Sequence, residues 1–254
     1  MQQKLIQYNF NASAKTYIQH AQIQKIAALK LIDKLSKYHT QGFILDLGSG
    51  PGTMQHCPNN SYQSILYDLS YKMLKAGITG AKENILAING DAGFLPFATG
   101  SIPSVISNLM LQWSMDKLQV LREIKRILIP DGVFLFTTLI SPSLWQLKAA
   151  WGKLDALEHT LDFSSYEAYI DLIKQAGLKI IYSESFEKMI NFTDIYALMR
   201  HFKQTGTALP KSNMNKGLSG GKLFRDLEVA YDKNQSDQTL PLSYQYLFMV
   251  VKSS

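Results

Sequence analysis

The fold of this 254-residue chain is decided by the stretch Ile44-Leu45-Asp46-Leu47-Gly48-Ser49-Gly50-Pro51-Gly52. Its first residues are mostly apolar, which is typical of a buried strand, and a glycine-rich turn follows them directly. Such a turn lets a ligand approach the backbone closely at the carboxyl edge of a parallel sheet. The glycine spacing is GxGxG, whereas dinucleotide-binding dehydrogenases use GxGxxG. The stretch therefore predicts a parallel sheet, and the nature of its ligand depends on the residues around the turn.

Short β-rich runs alternate with helix-compatible segments along the rest of the chain. The predicted strands are residues 43–47, 64–67, 84–88, 104–108, 133–139, 178–183 and 244–251. An amphipathic stretch opens the chain at 14–35, and further helices are predicted at 71–78, 116–127, 144–157 and 164–175. This alternation predicts an α/β fold, with a doubly wound parallel sheet covered by helices on both faces.

Composition narrows the class of protein. Hydrophobic residues make up 46% of the chain and charged residues 18%, as in globular proteins that bury a core. No apolar run approaches the roughly 20 residues that cross a bilayer, and no secretory signal is visible, so we expect a cytoplasmic protein. The single cysteine, Cys57, excludes an internal disulfide. Together with His56 it lacks partners at ligand spacing, so we expect no metal site.

Positive charge is concentrated in one segment. The chain has 26 Lys and Arg against 20 Asp and Glu, a formal net charge of +6. Residues 200–225 contain no acid, and their cations are Arg200, Lys203, Lys211, Lys216, Lys222 and Arg225. This segment predicts a surface for an acidic partner. The alternative is that a modest excess of lysine only keeps the protein in solution.

Carboxylates mark the ends of three predicted strands. Asp46 lies two residues before the first glycine, where its charge opposes a pyrophosphate and favours a cation. Asp68 ends the second strand, where a carboxylate accepts hydrogen bonds from ribose hydroxyls. Asp91, after the third strand, is suited to accept a hydrogen bond from an adenine amino group. S-Adenosylmethionine, which carries a sulfonium and an ammonium and has no phosphate, fits this constellation.

These residues, within about 43–139, resemble the class I S-adenosylmethionine-dependent methyltransferases, whose sheet is mostly parallel, seven-stranded and Rossmann-like. The stretches FNASAKTYIQHAQIQ (residues 10–24) and SNLMLQW (residues 107–113) resemble more narrowly the malonyl-[acyl-carrier protein] O-methyltransferases of biotin synthesis. Similar stretches lie at residues 136–139, 143–151, 198–206 and 240–244. The resemblance implies S-adenosylmethionine as cofactor, with contacts at Asp46, Gly48, Gly50, Gly52, Asp68, Leu69, Asp91, Ala92 and Asn108.

We expect a single methyltransferase domain, 1–254, with two helical additions. Residues 1–40 are predicted as an N-terminal lid, 41–190 as the cofactor-binding core and 241–254 as the last strand. Residues 191–240 are predicted as a helical cap insertion, in which two helices are joined by a loop rich in Gly, Pro, Ser and Asn at 205–221.

The resemblance also implies a substrate, the free carboxylate of a malonyl thioester on an acyl carrier protein that docks on residues 200–225. Because a carboxylate is already ionised at neutral pH, its methylation requires no general base. Nucleic acid and membrane are not expected as partners. The candidate substrate-binding residues are Tyr17, Gln112, Trp113, His159 and Arg200. Arg200 could pair with the malonyl carboxylate or, with Lys203, face the carrier protein.

Departures from the family pattern keep alternatives open. Ala12 stands where the family commonly has an arginine, and Leu161-Asp162-Phe163 stands where it has an Asn-Arg-Phe-like run, so the substrate could be another small molecule. Departures at Ser49, Gly93 and Asp131 leave open a cofactor-binding pseudoenzyme. A nucleic-acid methyltransferase is disfavoured, because Asn108-Leu109-Met110-Leu111 lacks the Pro-Pro-aromatic run of that class.

Overall fold

Three helices open the chain in the computed structural model, which describes residues 2–39, 42–52, 54, 63–79, 85–207, 220–234 and 236–253. They are α1 (Gln2–Ser13), α2 (Tyr17–His20) and α3 (Gln22–Tyr38). The prediction of one continuous stretch at 14–35 was therefore wrong. The helix is interrupted at Ala21, whose ψ of 47° is not helical. Before α2, the Thr16 hydroxyl donates a 2.9 Å hydrogen bond to the distant Gln204 carbonyl, a contact that local sequence does not reveal.

The strands form one seven-stranded sheet within the described residues, in the order β3-β2-β1-β4-β5-β7-β6. Their bounds are β1 (Ile44–Leu47), β2 (Ser64–Asp68), β3 (Leu86–Asn89), β4 (Ile102–Asn108), β5 (Leu128–Leu139), β6 (Leu178–Phe192) and β7 (Leu240–Ser253). All pairs are parallel except those of β7 with β5 and β6. Every residue of β1 is buried, as expected for a parallel strand covered on both faces. The predicted α/β, doubly wound fold is confirmed.

Six further helices follow in the described residues, and four of them begin at a side-chain cap. Their bounds are α4 (Tyr71–Ile78), α5 (Lys117–Ile127), α6 (Trp145–Gly152), α7 (Tyr166–Gln175), α8 (Ile195–Gln204) and α9 (Gly220–Ala230). The side chains of Ser70, Asp116, Ser165 and Asp194 each accept a hydrogen bond from the backbone N–H three residues later. Helix α6 ends before the predicted 157. The loop between α8 and α9 lies largely outside the described residues, and Lys211 and Lys216 lie there too.

Strands β6 and β7 are both longer than predicted. Strand β6 runs to Phe192 and β7 begins at Leu240, and these two residues pair with each other. Asn191 and Phe192, which we assigned to the helical insertion, therefore belong to the sheet. The outer half of β6 is polar and partly exposed, so its strand conformation comes from backbone pairing with β7 and leaves little hydrophobic pattern in the sequence.

The apolar core lies on both faces of the sheet and extends to its carboxyl edge. Helices α5 and α7 pack on one face and α3 on the other. A further cluster joins Ile23 of α3, Leu147 of α6, Leu198 of α8 and Leu227 of α9 around Leu109, beyond the end of β4. The added helices therefore sit at the edge that carries the glycine turn. No helix in the described ranges is long and apolar enough to cross a membrane.

Candidate active site

The glycine turn follows β1 and leaves backbone open to a cavity. Gly48 has a φ of +72°, and a Cβ there would lie 2.2 Å from Met110 Cγ. Gly50 has a φ of +57°, donates to Asp68 Oδ2 at 2.7 Å, and has no described atom within 4 Å of where its Cβ would be. Both line a cavity of about 310 Å³. Gly52, at a φ of +71°, does not line it and completes the turn.

Asp46 is an enclosed carboxylate. It lies in β1, between β2 and β4, and is 0% exposed. Neither of its oxygens has a hydrogen-bond partner among the described residues, and it does not itself line the cavity. Burial, reinforced by the charge of Asp68, raises the pKa of Asp46 to about 8. A buried carboxylate without partners is costly, so this position is complementary to a cationic ligand.

Asp68 and Asp91 line the same cavity and are each held by backbone amides. Asp68 Oδ1 accepts from the Ser70 N–H at 2.7 Å, in addition to the bond from Gly50. Burial raises the pKa of Asp68 to about 6, and the two amides oppose the shift. Asp91 Oδ1 accepts from the Gly93 N–H at 2.9 Å. The amides thereby orient the two carboxylates at the ends of β2 and β3. These are the positions for which the sequence predicts contacts with the ribose and the adenine.

Helix α1 closes over this cavity through amide side chains that the sequence analysis missed. Gln3 Nε2 donates to Asp91 Oδ2 at 2.6 Å, and Gln7 Nε2 donates to the Leu69 carbonyl at 2.7 Å. Asn11 Oδ1 accepts from the Ser70 hydroxyl at 2.8 Å. Residues 3, 7 and 11 recur every four positions and so share one helix face. This four-residue spacing of polar amide side chains is a sequence pattern from which the three residues could have been predicted.

The other predicted cofactor residues, Leu69, Ala92 and Asn108, also line the smaller cavity. The Asn108 side chain already makes hydrogen bonds with other parts of the protein. Its Nδ2 donates to the Gln24 carbonyl at 3.0 Å, and its Oδ1 accepts from the Thr137 hydroxyl at 2.7 Å. Asn108 therefore joins α3 to the sheet beneath the cavity.

A larger cavity, of about 950 Å³, adjoins the first. It brings together all five predicted substrate-binding residues, Tyr17, Gln112, Trp113, His159 and Arg200. Phe10, Tyr17, Leu109 and Trp113 line both cavities, and we call this shared wall the junction. Leu109 has a φ of +54°, unusual for a residue with a side chain and of the kind that concentrates at functional sites. The two cavities are therefore adjacent, and the junction lies between them.

The polar side chains of the larger cavity differ in how firmly they are held. Burial and the charge of Asp68 raise the pKa of Tyr17, so its hydroxyl stays protonated and can donate. Gln112 Oε1 accepts from the Thr138 hydroxyl at 3.0 Å, which leaves the amide N–H groups to the cavity. Arg200 is exposed and makes no hydrogen bond or salt bridge with any described residue.

Two further polar groups in this cavity were not predicted. Gln24 Oε1 is buried and finds no hydrogen-bond partner in the described part of the chain. His201 Nε2 lies 3.2 Å from the Tyr244 hydroxyl. Burial, with a smaller contribution from His20, lowers the pKa of His201 to about 4, so this histidine is uncharged at neutral pH. No local pattern marks either residue, because their surroundings come from distant elements.

The described ranges contain no cluster of three or more His, Cys, Asp or Glu side chains that could hold a metal ion. His56 and Cys57 lie outside those ranges.

Comparison with known proteins identifies the family. A family model described as "Methyltransferase domain" matches residues 45–136. The malonyl-[acyl-carrier protein] O-methyltransferase of Pseudescherichia vulneris is 32% identical over 233 residues, covering 89% of this chain and 88% of that protein. The biotin biosynthesis bifunctional protein BioHC of Cellvibrio japonicus is 28% identical over 98% of this chain. The chain spans only 50% of that bifunctional relative's length.

A solved structure shows the same fold. The YcgJ protein of Bacillus subtilis superposes with a TM-score of 0.63 at 17% identity, covering 89% of this chain and 97% of that one. The methyltransferase class predicted from the glycine turn and the three carboxylates is confirmed. The chain belongs to the malonyl-[acyl-carrier protein] O-methyltransferase family.

Proposed function

We propose that this chain transfers a methyl group from S-adenosylmethionine to the free carboxylate of a malonyl thioester, in an early step of biotin synthesis. The observation that carries the proposal is the junction, where the cavity with Asp68 and Asp91 meets the cavity with Gln112 and Arg200. The names of the related malonyl-[acyl-carrier protein] O-methyltransferases support the choice of substrate.

The residues of the smaller cavity fit the cofactor. Asp46, two residues before the turn, does not line the cavity, and a cationic ligand nearby would favour its ionised form, which would then compensate the positive charge. Asp68 would accept from the ribose hydroxyls, and Asp91 would accept from the adenine amino group. Gly48 and Gly50 would let the ligand approach the backbone. When bound, S-adenosylmethionine supplies an electrophilic methyl group on a sulfonium sulfur. Gln3, which now bonds Asp91, would share or release that carboxylate when adenine binds.

Methyl transfer to a carboxylate requires the protein mainly to position the two reactants. The substrate carboxylate is already a nucleophile, so no side chain has to remove a proton. The Tyr17 hydroxyl and the Gln112 amide would donate to the substrate and align it at the junction. Phe10, Leu109 and Trp113 surround this point with apolar surface and exclude water. We expect that no single His or Glu substitution abolishes turnover while leaving both ligands bound.

We propose an acyl carrier protein as the bearer of the malonyl group, docked on residues 200–225. Lys203 is exposed and lines the larger cavity. Lys222 and Arg225 are exposed on α9, which packs beside α8. Opposite charge on the two proteins would raise the association rate more than the affinity.

The test offers S-adenosylmethionine with malonyl-acyl carrier protein, malonyl-coenzyme A or a panel of free carboxylic acids, followed by mass spectrometry. We expect one added methyl group on the malonyl thioester. Methylation of free acids alone would overturn the substrate and favour a second candidate, methylation of another small molecule. Two observations favour that candidate: Ala12 places no charge in the larger cavity, and Asp162 is exposed and pairs with Lys148 at 3.3 Å.

The pseudoenzyme alternative is tested by ligand-induced stabilisation. A cofactor at 100 times its Kd adds about 2.7 kcal/mol to the free energy of unfolding. Thermal unfolding that S-adenosylmethionine leaves unchanged would contradict cofactor binding altogether. Stabilisation without turnover on any acid would indicate a protein that binds the cofactor and does not use it.

A further inference from the structure

His159 is held on two sides at the wall of the larger cavity. Its Nε2 lies 2.8 Å and 3.0 Å from the two carboxylate oxygens of Asp155. Its ring stacks on Trp151, with centroids 3.8 Å apart and an interplanar angle of 12°. His159 and Trp151 line the cavity, and Asp155 does not. The His159 side chain is only 15% exposed, so the imidazole is fixed between a carboxylate behind it and the cavity in front.

Both neighbours attract a positively charged ring. A carboxylate that accepts from an imidazole N–H forms a stronger hydrogen bond when the imidazole is charged, and the face of an indole attracts cations. Protonation would make Nδ1 a donor as well, and Nδ1 makes no hydrogen bond within the described residues. The other charged or titratable groups that line this cavity among the described residues are Glu158, Arg200, Lys203, the buried His201 and the tyrosines Tyr8, Tyr17, Tyr196 and Tyr244.

Among the described residues that line this cavity, the only Lys and Arg side chains are Arg200 and Lys203, and both are exposed. Ala12 lines the same cavity with a methyl group, and the Asp162 side chain is 84% exposed and paired with Lys148. Methyl transfer to a carboxylate does not need a base, so an Asp-His pair in this cavity has no proton to remove in the proposed reaction. The geometry of the Asp155-His159 pair fits binding of the anionic substrate.

We infer that His159, oriented by Asp155 and Trp151, binds the carboxylate of the substrate through Nδ1, and that Asp155 is its positioning residue. The inference rests on the proposed function. It assigns the carboxylate to a charge-assisted hydrogen bond from His159, in addition to the neutral donors at the junction, and leaves Arg200, which is exposed, free for the carrier protein.

The test is a double-mutant cycle of Asp155→Ala and His159→Gln, with malonyl-pantetheine as substrate so that protein docking plays no part. Each single variant should raise the KM for malonyl-pantetheine about tenfold, the scale of a lost hydrogen bond to a charged group. The KM for S-adenosylmethionine should not change. Because Asp155 acts through His159, the double variant should be no worse than His159→Gln alone. Asp162→Asn, an exposed acid in the same loop, is the matched control and should behave as wild type.

A neutral inhibitor separates charge recognition from damage to the cavity. Acetyl-pantetheine lacks the carboxylate, so its inhibition constant should be equal in wild type and both single variants. Equal weakening of acetyl-pantetheine and malonyl-pantetheine, or fully additive effects in the double variant, would overturn the inference. If wild type methylates no malonyl thioester, the proposed function fails. Calorimetric binding of malonyl-pantetheine to wild type and His159→Gln then decides the inference separately, with equal affinities overturning it.

Discussion

The two cavities that meet at the junction are built by different means. The smaller one lies at the ends of neighbouring strands. Its carboxylates, Asp68 and Asp91, are oriented by backbone amides two residues away or in the adjacent turn. The larger one lies between helices from distant parts of the chain. Its polar groups are oriented by other side chains, as Gln112 is by Thr138. Under the proposed function, cofactor recognition would therefore depend mainly on the sheet, whereas substrate recognition would depend on how the added helices pack on it.

The sharpest way to break the sheet-built site is Gly48→Ala. The added Cβ would meet Met110 at 2.2 Å, and the φ of +72° is strained for alanine. We expect a loss of about 2–5 kcal/mol in the free energy of unfolding, measured in urea, and loss of S-adenosylmethionine binding by calorimetry. Gly100→Ala is the matched control, because Gly100 has a φ of +65° and no described atom within 4 Å of where its Cβ would be. An equal loss in both variants would contradict a role for the close packing at Gly48.

Asp46→Asn should have opposite effects on the stability of the ligand-free protein and on the binding of S-adenosylmethionine. Burial raises the pKa of Asp46 from 3.8 to about 8, so between these values the folded protein holds a proton that the unfolded chain releases. The free energy of unfolding of wild type therefore falls as pH rises through that window. Without ligand, the Tm of the variant relative to wild type should rise from pH 5 to pH 8, by about 2–4 °C for each kcal/mol recovered.

The same variant should lose the Tm increase that S-adenosylmethionine gives wild type. Asp162→Asn, an exposed change of the same kind, should alter neither quantity. A Tm difference that does not vary with pH would show that Asp46 is not the group whose burial costs stability.

Two adjacent threonine hydroxyls of β5 each hold a side chain of a different cavity, so their variants test the two cavities separately. Thr138 donates to Gln112 of the larger cavity, and Thr137 donates to Asn108 of the smaller one. Thr138→Val should raise the KM for the malonyl substrate about fivefold, the scale of one hydrogen bond, and leave the KM for S-adenosylmethionine unchanged. Thr137→Val should do the reverse. Both variants affecting both KM values alike would show that the two sites are coupled through the strand.

The smallest expected effect lies at the surface. Lys203→Glu and Lys222→Glu should slow association with the acyl carrier protein severalfold at low salt, with the difference shrinking as salt is added, because exposed charges are screened. Turnover of malonyl-pantetheine should be unchanged. Lys174→Glu, an exposed residue on α7, is the control. If neither charge reversal changes the rate of association with the carrier protein, residues 200–225 are not the docking surface.

Secondary structure could be predicted where one periodicity dominates. Strands β1 to β4 and helices α4, α5 and α7 follow the prediction within two residues, because the strands are short runs rich in apolar residues and each helix has one apolar face. The opening segment did not, because Thr16 and Ala21 interrupt its helix where α8 packs against it. The outer half of β6 was missed because its partly exposed polar residues are held by pairing with β7.

Local sequence was enough for the glycine turn and the three carboxylates, because parallel strands bring their carboxyl ends to one edge whatever the rest of the chain does. It also indicated five side chains for the substrate, but it could not show that they share one cavity. Packing alone decided that α1 covers Asp91, that Gln24 and His201 face the larger cavity, and that Asp155 and Trp151 hold His159. Gln3 and Asp91 are 88 residues apart, so only packing brings them together. Asp155 and His159 are four residues apart but lie outside any helix whose periodicity would predict their contact.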